Sequence, residues 1–144
     1  MSGTSSPLRY KQIEHTGDIG IQIFGKTLHD LFINAAFGMF EIITDLGDIE
    51  KDTSEIIEVA GDGVEELLVN WLSELNYLFV TENKVFNRFV ITRYKDFELT
   101  ATVRGATIDP SRHPVNTEIK AVTYHELYVK ELKNRWEAQV IFDI

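Results

Sequence analysis

Residues 14–23 read EHTGDIGIQI, and the rest of the chain is organised around this stretch. Its first half places His15 and Asp18 on either side of a small turn. Its second half alternates isoleucine with small or polar residues, which is typical of a strand with one apolar face. Polar side chains between two strands are costly to bury unless something pairs with them. The local pattern leaves open whether this polar group serves the fold or a ligand.

After this stretch, apolar residues at three- and four-residue spacing predict two long helices. The first begins at Leu28 and runs to about Thr44, and the second runs from Val64 through Phe79. The expected caps are Thr27 with Asp30 for the first helix and Asp62 with Glu65 for the second. The wide apolar stripes predict that both helices pack against a core.

The remaining segments have the alternation of strands, with a tight hairpin connection at Lys95-Asp96. The predicted strands span 10–14, 19–24, 56–60, 85–94, 97–104, about 118–124, 127–132 and 135–142. This order predicts an α+β fold in which two long helices pack on a largely antiparallel β-sheet. We expect a flexible N-terminus over residues 1–9 and a single domain over 10–144.

Composition narrows the class of protein. Of the 144 residues, 23 are acidic and 14 basic, giving a formal net charge of −9. Such a charge argues against direct binding of nucleic acid and favours contact through a basic partner. There is no cysteine, which removes thiol nucleophiles and thiolate metal sites. No signal peptide or membrane span is apparent, so we expect a cytoplasmic protein without a membrane partner.

Most familiar catalytic motifs are missing, and the chain end draws attention instead. No glycine-rich phosphate loop follows a strand, and the four histidines are too scattered to indicate a zinc site. Asp143 and the carboxylate of Ile144 place two negative groups one residue apart. They repel each other unless solvent or a cation lies between them. An acidic chain end could simply fray, but a strong strand runs directly up to Asp143.

Taken together, four segments resemble the archease family. They are EHTGDIGI at 14–21, RHP at 112–114, TEIKAVTYH at 117–125 and AQVIFDI at 138–144. The two predicted helices also lie at comparable places, so the resemblance covers nearly the whole chain. One departure is Gly17, where the family more usually has alanine; the neighbouring histidine and aspartate are unaffected.

This resemblance implies a cofactor protein. Archeases assist the RtcB-type RNA ligase of tRNA splicing and RNA repair by promoting guanylylation of the ligase and multiple turnover. The family's metal-binding aspartates map onto Asp18 and Asp143, with the terminal carboxylate of Ile144 as a third ligand. An all-oxygen set of this kind suits Mg²⁺ or Ca²⁺. The resemblance further implies that RNA is contacted only through the ligase and that GTP is contacted within the complex.

Supporting roles are expected for further polar residues, as partners of the metal ligands or as contacts to the ligase. They are His15, Glu74, His113, Lys120 and His125. Lys120 resembles a functional lysine of the family and could reach a carboxylate or a phosphate; the alternative is an exposed, solvated charge on a strand. Trp71, Trp136 and Tyr124 are predicted to pack in the core.

Two other classes of function stay open. A metal-dependent hydrolase acting on phosphate would also use Asp18 and Asp143 as ligands. A chaperone-like binding module would depend only on the acidic surface. The ligase activator ranks first because it explains both ends of the chain with one site.

Overall fold

The computed structural model describes residues 8–15, 17–47, 49–50 and 52–144, with the side chain of His15 outside the description. The predicted flexible segment therefore lies outside it except for Leu8 and Arg9. In chain order the elements are β1 (Tyr10–His15), β2 (Asp18–Gly25), α1 (Leu28–Ile43), β3 (Thr53–Ala60), α2 (Val64–Glu82), β4 (Lys84–Lys95), β5 (Glu98–Thr107), β6 (Ala121–Val122), β7 (Tyr128–Leu132) and β8 (Arg135–Asp143).

The predicted α+β fold is confirmed, and its strands divide into two antiparallel sheets. The larger sheet has the order β1-β2-β8-β6, with β7 also paired to β8. The smaller sheet has the order β3-β5-β4. Helix α1 packs against β2 and β4, while α2 packs against β3, β4 and β6. Each helix thus contacts both sheets, and the helices form the layer that joins them.

The core lies between the helices and the inner faces of both sheets. Trp71 on α2 is fully buried, as predicted, and its indole Nε1 donates to the carbonyl oxygen of Phe32 on α1 at 2.9 Å. Its ring meets Phe89 of β4 edge-on at 6.3 Å between centroids. Trp136 is half-buried against the same core. Burial of these aromatic rings ties one sheet to the other through the helices.

Both helices begin at the predicted residues, Leu28 and Val64, but only the predicted cap of α1 is confirmed. The amide of Asp30 donates to the hydroxyl oxygen of Thr27 at 3.1 Å, which confirms that cap. At α2 the predicted Asp62 cap is wrong, because Gly63 occupies the N-cap position without a side-chain hydrogen bond. Asp62 lies one residue too early to cap, and its amide instead donates to Glu66 Oε1 at 3.1 Å.

The β4–β5 hairpin turns one residue later than predicted, at Asp96-Phe97. Both residues have left-handed backbone, with φ of 53° and 58°. A two-residue turn of this hand matches the twist of the flanking strands. The carbonyl of Phe97 also accepts from Gly61 N at 3.0 Å, which fixes the turn against the start of α2.

The predicted strand over 118–124 is mostly irregular, and only Ala121–Val122 pair with β8. The chain leaves β8 after Thr123, whose amide and hydroxyl both donate to the carbonyl of Ile141, at 3.1 and 2.8 Å. Tyr124 therefore lies in a turn and is 57% exposed, so its predicted core packing is wrong. In the part of the chain described, neither helix is long and apolar enough to span a membrane.

Candidate functional site

At one end of the larger sheet, one residue from each of four strands lies in a single row across the strands. His15 of β1 pairs with Asp18 of β2, Asp18 pairs with Asp143 of β8, and Asp143 pairs with Ala121 of β6. Residues directly opposite each other in an antiparallel ladder have Cβ atoms about 5 Å apart and on the same face. The structure therefore places Asp18 beside Asp143, although they come from opposite ends of the chain.

This aspartate pair lies on the outer face of the sheet, away from the helices. The next row on that face is Ile13, Gly20 and Ile141. Ile141 is 1% exposed, and a Cβ on Gly20 would lie 2.6 Å from its Cδ1 atom and 2.8 Å from Ile13 Cγ1. Gly20 thus lets two isoleucines close over the strand. The two carboxylates therefore lie next to a packed apolar row on the same face.

The chain end is held in place next to this pair. Phe142 is fully buried, and the side chain of Ile144 packs against the core. Asp143, between them, is exposed on the other side of the strand. Ile144 is therefore fixed by packing directly after Asp143, the residue that pairs with Asp18.

Lys120 reaches the same row through its backbone. Its amide donates to the carbonyl oxygen of Asp143 at 2.8 Å. Its side chain is exposed and lines a groove of about 340 Å³ with Asn76, Tyr77 and Val80 of α2. This is the helix side of the sheet, opposite the Asp143 carboxylate. From there Lys120 flanks the chain end rather than the face that carries the two aspartates.

The loop that carries His113 is fastened to the end of α1. Thr44 donates its hydroxyl to the carbonyl of Pro114 at 2.8 Å, and Asn116 N donates to the carbonyl of Ile43 at 2.7 Å. His113 Nδ1 is buried and makes no hydrogen bond within the described residues. Four residues after Asn116 the chain arrives at Lys120 and the aspartate row. His113 thus belongs to the loop that delivers Lys120.

Asp109 sets the shape of the start of this loop. Its carboxylate accepts from the amide and the hydroxyl of Ser111, at 3.0 and 2.7 Å. These two hydrogen bonds lower the pKa of the Asp109 carboxyl, and the electrostatic interaction with nearby His113 adds a smaller effect in the same direction. The carbonyl of Asp109 also accepts from His113 N at 2.8 Å, which closes a turn ahead of the site.

The two remaining predicted residues, His125 and Glu74, lie outside the aspartate row. His125 is exposed in the turn after β6, and its amide donates to Thr123 Oγ1 at 3.3 Å. That turn lies along β8, because Gln139 Nε2 donates to the carbonyl of Glu126 at 3.1 Å. Glu74 is exposed on α2 and lines a shallow surface depression with Val59 and Ala60 of the smaller sheet. No described contact joins Glu74 to the aspartate row.

No three His, Asp or Glu side chains of the described part come close enough together to hold a metal ion. The predicted set consists of two aspartates and a terminal carboxylate, so it is not a group of that kind. The side chain of His15 lies outside the described part of the structure. The roles assigned to all eight predicted site residues remain predictions.

Sequence reasoning missed two residues that position this site. Thr44 is 1% exposed and holds the His113 loop. Asn76 is 7% exposed on α2, and its Nδ2 donates to the carbonyl of Ile119 at 2.9 Å, one residue before Lys120. Asn76 stands four residues after Leu72 on the apolar face of the helix. A polar residue at such a position needs a buried partner, which is the signal that could have found it.

Comparison with known proteins decides the family. The sequence model of the Archease protein family matches residues 10–144. The chain belongs to the archease family. The resemblance carried by residues 14–21, 112–114, 117–125 and 138–144 is thereby confirmed.

Other archeases match over almost their full length. The chain is 39% identical over 140 residues to Protein archease of Methanosarcina acetivorans, covering 94% of this chain and 96% of that protein. It is 38% identical over 140 residues to Protein archease of Pyrococcus furiosus, covering 94% and 99%. The solution structure of Methanobacterium thermoautotrophicum protein 1598 superposes with a TM-score of 0.82 at 32% identity, over 94% and 99% of the two chains. The archease fold thus spans nearly the whole chain.

Proposed function

We propose that this protein is a metal-binding activator of an RtcB-type, GTP-dependent RNA ligase, promoting ligase guanylylation and multiple turnover in tRNA splicing and RNA repair. Family membership supports the class of function. The observation that carries the proposal is the pairing of Asp18 with Asp143 in one row. Two carboxylates placed side by side at the ends of neighbouring strands repel each other, and a cation between them would offset that repulsion.

The residues present fit a divalent cation. Asp18, Asp143 and the terminal carboxylate of Ile144 would hold it, and they offer oxygen donors only. Hard ions such as Mg²⁺ and Ca²⁺ prefer that chemistry, with water completing the coordination. Because Asp143 is exposed, the ion would be open to a partner on one side. When bound, it would supply positive charge beside nucleotide phosphates.

The chain's own residues would present this site to the ligase. Packing of Phe142 and Ile144 holds the chain end at the sheet edge. The backbone of Lys120 is held by the hydrogen bond from its amide to the carbonyl oxygen of Asp143. Its ammonium group would offer a positive charge to an anionic group approaching from the helix side. The net charge of −9 favours docking on a basic surface, such as the one an RNA ligase presents to its substrate. RNA would then be contacted through the ligase.

A guanylylation assay of the cognate ligase tests the proposal. We expect the wild-type protein to accelerate guanylylation in a manner that depends on added Mg²⁺ or Ca²⁺, and Asp143→Ala to abolish the acceleration while thermal unfolding stays cooperative. Asp96→Asn, in the β4–β5 turn of the other sheet, removes the same charge and should retain full activity. A short Gly-Ser extension after Ile144 should impair activation by displacing the terminal carboxylate.

The same assay separates the two competing classes. Full activation by Asp143→Ala would overturn the metal site and favour a binding module. Nucleotide turnover by the purified protein without ligase, lost in Asp18→Ala, would favour a hydrolase.

A further inference from the structure

Two neighbouring rows of side chains on the outer face of the smaller sheet are not used by the proposed function. One row is Ser54, Arg104 and Arg88, and the next is Ile56, Thr102 and Val90, each read across β3, β5 and β4. We call these six residues the arginine face. The opposite side of the same sheet is buried against the helices, with Ile57, Ala101 and Val103 at most 3% exposed.

Two cations stand side by side on the arginine face. Arg88 and Arg104 are directly opposite in the β4–β5 ladder, and both are exposed. Like charges in that position destabilise a sheet. Neither guanidinium forms an ion pair with a described carboxylate. The ion pairs among the described residues belong instead to Lys84 and Arg135, which lie outside this face. In a protein of net charge −9, two unpaired neighbouring arginines are unexpected unless something else binds them.

An apolar row lies next to the arginines. Ile56 is 69% exposed, the highest value among the large apolar side chains described, and Val90 is 43% exposed. They flank Thr102, about 7 Å along the strands from the guanidinium row. Single exposed apolar residues are ordinary. An aligned isoleucine and valine beside two arginines instead have the composition of a protein interface, where arginine is enriched and apolar area lies at the centre.

We propose that the arginine face binds an acidic polypeptide segment with an apolar side chain beside its carboxylates. The Cβ atoms of residues i and i+4 of a helix are about 5–6 Å apart, close to the Cβ spacing of directly opposite strand residues, so two glutamates at i and i+4 can meet the two arginines. The face belongs to the smaller sheet, and the aspartate row belongs to the larger one. The interaction is therefore separate from the proposed metal site and does not depend on it.

Nucleic acid fits this face less well. Neither row contains an aromatic ring on which a base could stack. The protein has a pI of about 4.8, and its net negative charge repels a polyanion at long range. Two arginines offset only a small part of that charge. A short acidic segment needs only local complementarity, which the two guanidiniums and the apolar row offer.

Fluorescence anisotropy at low salt tests the proposal. The probe is a labelled 18-residue helical peptide with glutamates at i and i+4 and a leucine one turn further, and its counterpart has glutamine in place of glutamate. We expect the glutamate peptide to bind wild type at least about tenfold more tightly than Arg88→Glu/Arg104→Glu, because charge reversal replaces attraction by repulsion. Lys11→Glu/Lys133→Glu, in β1 and in the β7–β8 turn, makes the same change in net charge and should bind like wild type.

Three results would overturn the proposal: no binding of the glutamate peptide to wild type, equal affinity for the glutamine peptide, or equal weakening by the control double variant. Tighter binding of a 12-nucleotide oligouridine RNA than of the peptide, lost in Arg88→Glu/Arg104→Glu, would assign the face to nucleic acid instead. If the double glutamate variant unfolds, Arg88→Gln/Arg104→Gln replaces it under the same criteria. Ile56→Ser should also weaken the peptide, which separates a docking surface from bare charge attraction.

Discussion

At the scale of single residues, Tyr128 links the outer face of the larger sheet to the pH dependence of stability. Its hydroxyl donates to Glu137 Oε2 at 2.8 Å. Burial first, and then this hydrogen bond, raise the pKa of Tyr128 to about 12. An unfolded tyrosine ionises near pH 10. The folded state therefore holds its proton longer than the unfolded state does.

This difference predicts a loss of stability at alkaline pH. Between about pH 10 and pH 12 the unfolded chain releases the proton first, so the free energy of unfolding falls as pH rises. Tyr128→Phe should make that decline shallower in urea titrations from about pH 9 to pH 11.5. Tyr124→Phe, on an exposed ring, is the matched control. An unchanged slope in Tyr128→Phe would show that the contact with Glu137 does not stabilise the neutral phenol.

A hydrogen bond from Asn76 holds the segment that leads to Lys120. Its Nδ2 donates to the carbonyl of Ile119, and both residues are buried. Asn76→Ala leaves that carbonyl unpaired, which should cost about 1–3 kcal/mol in the free energy of unfolding. Amide resonances of Lys120 and Asp143 should shift in the same variant, because the segment bonds to Asp143.

Asn70→Ala is the control for that experiment. Asn70 Nδ2 donates to the carbonyl of Ala60, beside the smaller sheet, and this contact is exposed. It should change stability less and leave the Asp143 resonance in place. A larger effect from Asn70→Ala than from Asn76→Ala would contradict the positioning role of Asn76.

At the scale of elements, the β4–β5 ladder depends on a single glycine. A Cβ on Gly105 would lie 1.9 Å from the carbonyl oxygen of Val85, a backbone atom that cannot move without breaking the ladder. Gly105→Ala should therefore destabilise the protein by about 1–3 kcal/mol or more, as overpacking does. Gly63→Ala is the control, since its Cβ would meet only Glu65 Oε2 at 3.7 Å. Equal urea midpoints for the two variants would refute this explanation.

Element boundaries show where periodicity was sufficient and where it failed. The N-cap of α1 could be predicted from Thr27, because an N-cap hydroxyl accepts from an amide only two or three residues later. Such an arrangement is visible in the local sequence. The N-cap of α2 and the position of the Asp96-Phe97 turn did not follow, because contacts from elsewhere in the fold contribute to them. The carbonyl of Phe97 accepts from Gly61, which couples the hairpin to the helix start. No single-segment pattern contains that information.

At the scale of the whole molecule, the sequence predicted the α+β class but not the division into two sheets. Strand alternation marks which face is buried, whereas pairing partners depend on contacts between distant segments. The meeting of Asp18 with Asp143 was likewise expected only from the family resemblance, and the ladder between β2 and β8 then placed them opposite each other. The arginine face was invisible in sequence because Arg88 and Arg104 become neighbours only through strand register.

The central claim is that Asp18 and Asp143 form one divalent-cation site, and calorimetric titration with Mg²⁺ and Ca²⁺ tests it most directly. We predict a single binding event in wild type and in the control Asp96→Asn, and an affinity lower by about tenfold or more in Asp18→Asn and in Asp143→Asn. The two site variants should fail together, because each carboxylate completes the same site. Unchanged affinity in either of them, or an equal loss in Asp96→Asn, would contradict the claim.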